Sequence, residues 1–85
     1  MKKEIEFIGY DKSDGLRLIW DKDFSLAVAA DGNEVIISAN KAGLISLARH
    51  LITLAQDDVS DGSHLHFDEY NSLDAGSSDL IIQKN

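Results

Sequence analysis

Two histidines and a carboxylate alternate along one short segment of the chain. His64, His66 and Asp68 stand two residues apart, with Leu65 and Phe67 between them. Successive side chains of a strand point to opposite faces, so this spacing predicts a strand with three polar groups on one face and two apolar groups on the core side. Imidazole and carboxylate are ordinary ligands of zinc or iron, which makes a metal- or small-molecule-binding module one hypothesis. The alternatives are a hydrogen-bonded strand face and a partner-contact face, and we predict no bound metal or cofactor.

Catalysis finds little support in the residue pattern. Serines lie near the histidines in sequence, but none stands in a nucleophile elbow or another recognised arrangement. The glycines form no phosphate-cradling loop, and no carboxylate stands in an apolar sequence environment that would suggest a raised pKa for acid catalysis. We therefore predict that the protein is not an enzyme.

Acidic side chains dominate the second half of the chain. Seven aspartates and glutamates lie between Arg49 and Lys84, and no lysine or arginine does. Their mutual repulsion serves no evident structural purpose, so a cationic partner would explain them, although a solvated loop after a helix remains an alternative. An exposed aromatic residue beside carboxylates often anchors an interface, and Tyr70 is the candidate. The predicted partner-binding residues are Asp57, Asp58, Asp61, His64, His66, Asp68, Glu69 and Tyr70.

Length and composition restrict the class of protein. A chain of 85 residues supports one domain with one small core, assigned to residues 1–85. The net charge of −7 disfavours binding to nucleic acid or anionic lipid. Cysteine is absent, which excludes disulfides and suits a reducing compartment. No signal-peptide core or membrane span is readable, so we predict a cytoplasmic protein.

Period-two patterns in the first half predict a meander of about four strands. Residues 4–8 and 16–20 alternate, and the pattern resumes at Phe24, Leu26 and Val28. The turn residues at 31–33 then reverse the chain into a strand over residues 34–38. Two further strands follow the helix described next, the last of them apolar on both faces and expected inside the sheet. The predicted fold is α+β: an antiparallel sheet of five to six strands with the helix on one face.

The segment over residues 41–56 has helical periodicity. Asn40 is a suitable N-cap. An apolar stripe predicted to pack on the sheet contains Leu44, Leu47, Leu51 and Leu54. Ser46, Arg49, His50, Thr53 and Gln56 are expected on the opposite, outer face.

Three blocks of the chain together resemble a known family. They are residues 37–44 (ISANKAGL), continued by the leucines of the helix, residues 62–68 (GSHLHFD) and residues 76–82 (GSSDLII). The pattern is similar to that of small bacterial immunity proteins of polymorphic-toxin and contact-dependent growth inhibition systems. The resemblance implies an α+β domain that binds and neutralises a cognate toxin domain, and it carries over no contact residue.

The combined interpretation is an inhibitor whose acidic face covers a basic toxin surface, and we predict that this surface is the substrate groove of a nuclease. Nucleases hold phosphates with positive charge, so a carboxylate-rich inhibitor would gain both steering and occlusion. Two rival hypotheses are the metal- or small-molecule-binding module and a structural homo-oligomer that pairs through an unprotected sheet edge.

Overall fold

The computed structural model describes residues 4–6, 9–11, 13 and 15–85. Its elements are β1 (Leu26–Asp31), β2 (Glu34–Ala39), α1 (Lys41–Ala55), β3 (His64–Phe67) and β4 (Leu80–Gln83). β1 pairs with β2 and β3 pairs with β4, both antiparallel, which gives two separate two-stranded sheets in this part of the chain. The one helix and four antiparallel strands of the described residues fit the α+β class. The prediction of a single sheet of five to six strands is wrong.

The β1–β2 hairpin forms where the sequence predicts it. Asp31 and Glu34 face each other across a two-residue turn, and Gly32 has a φ of 58°. A two-residue hairpin turn requires a positive φ that glycine adopts without steric cost. Leu26 and Val28 are buried on the inner face of β1, as the alternation indicates.

A loop, and not a third strand, occupies the other edge of β1. The amides of Asp74 and Ser78 donate to the carbonyl oxygens of Leu26 and Val28 at 2.9 and 2.8 Å. Ser77 Oγ accepts from the amide of Val28 at 3.2 Å. These bonds join the two hairpins without a regular ladder. Among the described strands, β4 pairs only with β3. The expectation that the last strand lies inside the sheet is wrong, and its Ile81 is 60% exposed.

The two earliest predicted strands do not form in the described residues. Residues 4–6 and 16–20 have no strand pairing, and Phe7 and Ile8 lie outside the described residues. Side chains of α1 satisfy backbone groups of this segment instead: Arg49 donates to the carbonyls of Glu6 and Ile19 at 2.7 and 3.0 Å. A segment whose polar backbone groups pair with helix side chains needs no neighbouring strand.

The helix begins as predicted. Asn40 caps it, its Oδ1 accepting from the amide of Gly43 at 2.8 Å, and the helix ends at Ala55. A Cβ added at Gly43 would collide with the carbonyl oxygen of Ser25, so the first turn packs directly on the backbone that leads into β1. Only glycine permits this approach.

The helix face that packs inward differs from the predicted one. Leu54 is buried and Leu47 packs partly against the core, as expected, but Leu44 and Leu51 are 54% and 44% exposed. The prediction that these two leucines cover the sheet is wrong. The buried helix residues are Gly43, Ser46, His50, Thr53 and Leu54.

The core lies where both hairpins, the helix and the loops meet. Trp20 is partly buried against it and stacks on Phe24 with ring centroids 4.3 Å apart. The buried apolar residues are Leu26, Val28, Leu54, Val59, Leu65, Phe67 and Leu73.

Within the described residues, no helix is long and apolar enough to cross a membrane.

Candidate functional site

Three exposed carboxylates follow the C-terminal end of α1. Asp57, Asp58 and Asp61 lie in a loop that we call the acidic loop, residues 57–62, and all three are exposed. The loop is anchored by Val59, which is 2% exposed and whose amide donates to the carbonyl of Gln56 at 3.0 Å. The anchor turns inward, and the carboxylates on either side of it face solvent.

The helix dipole disfavours carboxylates at the C-terminal end of α1, and Lys84 offsets this effect. Its Nζ donates to the carbonyl oxygens of Gln56 and Val59 at 2.6 and 2.7 Å. An ammonium group at a helix C-terminus interacts favourably with the partial negative charge of the helix dipole. Lys84 is thus engaged by backbone carbonyls, and nothing in the sequence pattern indicated this contact.

An open groove adjoins the acidic loop. Its volume is about 480 Å³, and its lining combines the apolar side chains of Ile52 and Ala55 with Gln56, Asp57 and Asp58. Ile52 is 38% exposed. An apolar floor beside two carboxylates matches a lysine or arginine side chain, which carries a charged head on an aliphatic stem.

The alternation predicted for β3 is confirmed. Leu65 and Phe67 are buried, and His64 and His66 are exposed on the opposite face. His66 Nε2 lies 3.1 Å from Asp79 Oδ2, a hydrogen bond between neighbouring chain segments, and 4.0 Å from Asp68 Oδ2. This arrangement matches the hydrogen-bonded strand face weighed from the sequence.

The metal-binding hypothesis lacks a suitable cluster. Among the residues that the structure describes, no three histidine, aspartate or glutamate side chains are placed to hold a metal ion. His66 approaches Asp68 to 4.0 Å, but the two do not form a three-ligand group with His64 or with another described residue.

Asp68 and Glu69 order the loop after β3. Asp68 Oδ1 accepts from the amides of Tyr70 and Asn71 at 2.9 and 3.1 Å, a local turn typical of aspartate. Glu69 Oε2 accepts from the amide of Gly76 at 2.8 Å. Tyr70 projects from this loop with 90% of its surface exposed. Two of the predicted contact carboxylates therefore also hold the loop that presents Tyr70.

The predicted contact residues form two groups. The first is the acidic loop with Asp57, Asp58 and Asp61, and the second comprises His66 and the segment of Asp68, Glu69 and Tyr70. No hydrogen bond or ion pair between described residues joins the groups. His64 is exposed at the start of β3, in sequence between them.

His50 is a buried residue that sequence periodicity placed on the outer face. Its ring has no exposed surface, and neither ring nitrogen has a hydrogen-bond partner among the described residues. The pKa of His50 is lowered to about 4, mainly by burial and in addition by the Arg49 cation, while Asp21 opposes both effects. The imidazole is therefore neutral at pH 7, and it acts as a core side chain.

The family model of Immunity protein 32 matches residues 34–85. This match covers more than half of the chain, and the protein belongs to that family. It includes β2, α1, the acidic loop and the β3–β4 hairpin. No curated protein and no solved structure matches the chain. The family indicates an immunity protein that neutralises a toxin, and the resemblance to immunity proteins seen in the sequence is confirmed.

Proposed function

We propose that this member of the Immunity protein 32 family acts in the cytoplasm as a non-catalytic inhibitor that covers a basic surface of its cognate toxin. The contact centres on the acidic loop and the adjoining groove, and it extends to His64, His66, Asp68, Glu69 and Tyr70. The observation that supports the proposal most directly is the group of exposed carboxylates that follows α1 in a member of a toxin-neutralising family.

The charge balance around the acidic loop supports a cationic partner. The two basic residues that bound the acidic half of the chain are both engaged by the fold. Arg49 pairs with Asp21 at 2.9 Å, and Lys84 donates to carbonyl oxygens. Asp57, Asp58 and Asp61 thus face solvent without an ion pair to another described residue. A basic partner would neutralise them and gain a faster encounter through the field they create.

Exposed apolar surface supports a protein partner. Tyr70 and Ile52 are 90% and 38% exposed, and each lies beside carboxylates. Aromatic and aliphatic anchors surrounded by polar groups are typical of the residues that dominate interface energies. A protein surface bearing lysine or arginine side chains fits this combination better than a small anion or a metal ion does.

A nuclease domain is the toxin class that the charge favours. Nucleases hold phosphate groups with lysine and arginine around the active site, and a carboxylate-rich surface competes for the same positions. In this proposal the inhibitor blocks the substrate groove by occupying its cationic groups.

The test uses the C-terminal domain of the protein encoded immediately upstream as the partner. Asp57, Asp58 and Asp61 are replaced together by lysine, and association with that domain is measured by surface plasmon resonance at several salt concentrations. We expect the association rate to fall by about tenfold or more at low salt, because steering depends on these charges. Cells that express the toxin domain should lose protection.

The matched control replaces Glu4, Glu6 and Asp31 by lysine. These residues are also exposed and give the same change in net charge. We expect nearly unchanged protection. Equal losses from both triple variants would show that net charge alone matters, and full protection by the acidic-loop variant would place the interface elsewhere.

A further inference from the structure

β2 is an apolar strand with one open edge. Val35, Ile36 and Ile37 are 65%, 49% and 41% exposed, and β2 pairs with β1 alone among the described strands. Three consecutive branched apolar side chains at this exposure are unusual in a strand that functions alone, because an open apolar edge invites pairing with another chain.

The backbone groups that face the open edge follow from the bonds of β1. Leu26 and Val28 direct their backbone groups away from β2, toward the loop that contains Asp74 and Ser78. Their neighbours in β1 therefore bond to β2, and by the register these bonds involve Glu34, Ile36 and Ser38. Val35, Ile37 and Ala39 direct their amide and carbonyl groups to the open edge.

The usual devices that protect an edge are missing from β2. The strand has six residues and no proline, and its register with β1 continues without a bulge. Its one charged residue, Glu34, stands at the end of the strand beside the turn. Natural edge strands are normally short, bulged or interrupted by charge. β2 is instead a regular surface on which another strand can pair.

We propose that β2 pairs antiparallel with β2 of a second copy of this chain and forms a two-fold symmetric dimer. Pairing centred on Ile37 places Val35 of each copy opposite Ala39 of the other, so the outward backbone groups bond to each other. The two hairpins then form one four-stranded sheet.

The charges at the two ends of β2 identify a second copy as the occupant. Glu34 stands at one end, and Lys41 and the N-terminus of α1 stand at the other. The first turn of α1 contains no acidic residue of its own. Antiparallel pairing brings Glu34 of each copy to the helix start of the other, where the lysine and the helix dipole both favour a carboxylate. The same contact forms twice, as two-fold symmetry requires.

Sedimentation equilibrium of the purified full chain over a range of concentrations tests the proposal. We expect a reversible species of twice the 9.3 kDa chain mass. Ile37→Lys places two like charges at the symmetry axis and should weaken the dimer on the order of tenfold or more. A monomer at every concentration up to the solubility limit would overturn the proposal, as would a dimer unaffected by Ile37→Lys.

A charge exchange keeps the test decisive if Ile37→Lys disturbs folding. Glu34→Lys and Lys41→Glu should each weaken the dimer, and the double variant should restore much of the loss, because it re-forms the lysine–carboxylate pair although the helix dipole no longer contributes. Asp74→Lys is the control, since Asp74 is also exposed but lies along the other edge of β1, away from β2. Failure of the double variant to restore dimerisation would contradict the pairing. Circular dichroism confirms that each variant is folded.

Discussion

The imidazole of His50 lies edge-on against the indole of Trp20, with ring centroids 4.3 Å apart and planes inclined at 77°. Phe67 completes a triangle of rings: its centroid lies 5.9 Å from that of the imidazole and 5.7 Å from that of the indole, and its plane is inclined at 26° to the imidazole. The imidazole has no exposed surface, and among the described residues no acceptor is placed to take a hydrogen bond from a second ring proton. A charged imidazolium would be destabilised here, so the neutral form is the one that fits the core.

This enclosure predicts a loss of stability in acid. The pKa of His50 falls from 6.5 to about 4 on folding, so between these values the unfolded chain binds a proton that the folded chain does not. The free energy of unfolding should therefore be unaffected by His50 above pH 6.5 and decrease as the pH falls toward 4, by about 3 kcal/mol in all. Urea unfolding at a series of pH values measures the effect.

His50→Leu should remove this part of the pH dependence, because leucine does not titrate and needs no hydrogen bond. His64→Gln is the control, since His64 is exposed on β3 and its replacement should leave the pH profile of the parent intact. If His50→Leu retained the full loss between pH 6.5 and 4, groups other than His50 would be responsible.

α1 packs inward through a different face from the one that its periodicity predicts. Replacing two leucines three residues apart should therefore have unequal effects on stability. Leu54 is 5% exposed and belongs to the core, whereas Leu51 is 44% exposed. Leu54→Ala should lower the free energy of unfolding by about 2 to 5 kcal/mol through lost burial and a cavity. Leu51→Ala should cost under about 1 kcal/mol. Equal losses in urea unfolding would mean that α1 packs through the face predicted from periodicity.

Local signals in the sequence predicted the elements that local chemistry determines. The hairpin turn at Gly32, the Asn40 cap and the alternation of β3 each depend on a few neighbouring residues, and all three form as predicted. The chain of 52 residues from 34 to 85 that matches the family carries two of these three features.

The face through which α1 packs depends on contacts between residues distant in sequence, which local patterns do not reveal. The apolar stripe of α1 indicated an inward leucine face, yet Ser46 Oγ accepts from the amide of Asp21 at 2.8 Å, and Arg49 bonds to the carbonyl of Ile19. These bonds pair backbone polar groups of the irregular segment before β1. To make them, the polar face of the helix must point inward. Hydrophobic periodicity measures amphipathicity, but it does not indicate that a polar face will be the one buried.

The candidate site was only partly readable for the same reason. Composition indicated Asp57, Asp58 and Asp61, and their exposure agrees with a surface role. The ammonium of Lys84 beside them depends on the end of β4 returning to the end of α1, a contact across 28 positions of sequence. Likewise, the groove beside Ile52 exists only because the helix turns that residue outward.

Gly43 should not tolerate even the smallest side chain. A Cβ at this position would overlap the carbonyl oxygen of Ser25, and the Cβ of Ala39 would lie 3.1 Å away. Gly43→Ala should therefore displace the first turn of α1 and lower the free energy of unfolding by about 1 to 3 kcal/mol, although alanine is the better helix former. Thermal unfolding measures the change. Ala42→Gly is a useful comparison, because it should destabilise only by helix propensity, about 1 kcal/mol or less. A stabilised Gly43→Ala variant would contradict the close approach.

Lys84→Met should separate the stability of the acidic loop from its charge. Methionine retains much of the apolar stem but loses the Nζ bonds to the carbonyls of Gln56 and Val59. Two charge-assisted hydrogen bonds disappear, so the free energy of unfolding should fall by about 1 to 3 kcal/mol. Removing the cation also leaves the negative charge of the loop less balanced, and association with a basic toxin domain at low salt should become faster in protein that remains folded.

The control is Lys22→Met, a change of the same charge at an exposed residue before β1, which should leave stability nearly unchanged. Chemical unfolding and association kinetics measure the two effects separately. The prediction would be contradicted if folded Lys84→Met protein associated more slowly while Lys22→Met was unaffected. In that case the toxin would contact the ammonium group itself, and the net charge of the acidic loop would not determine the association rate.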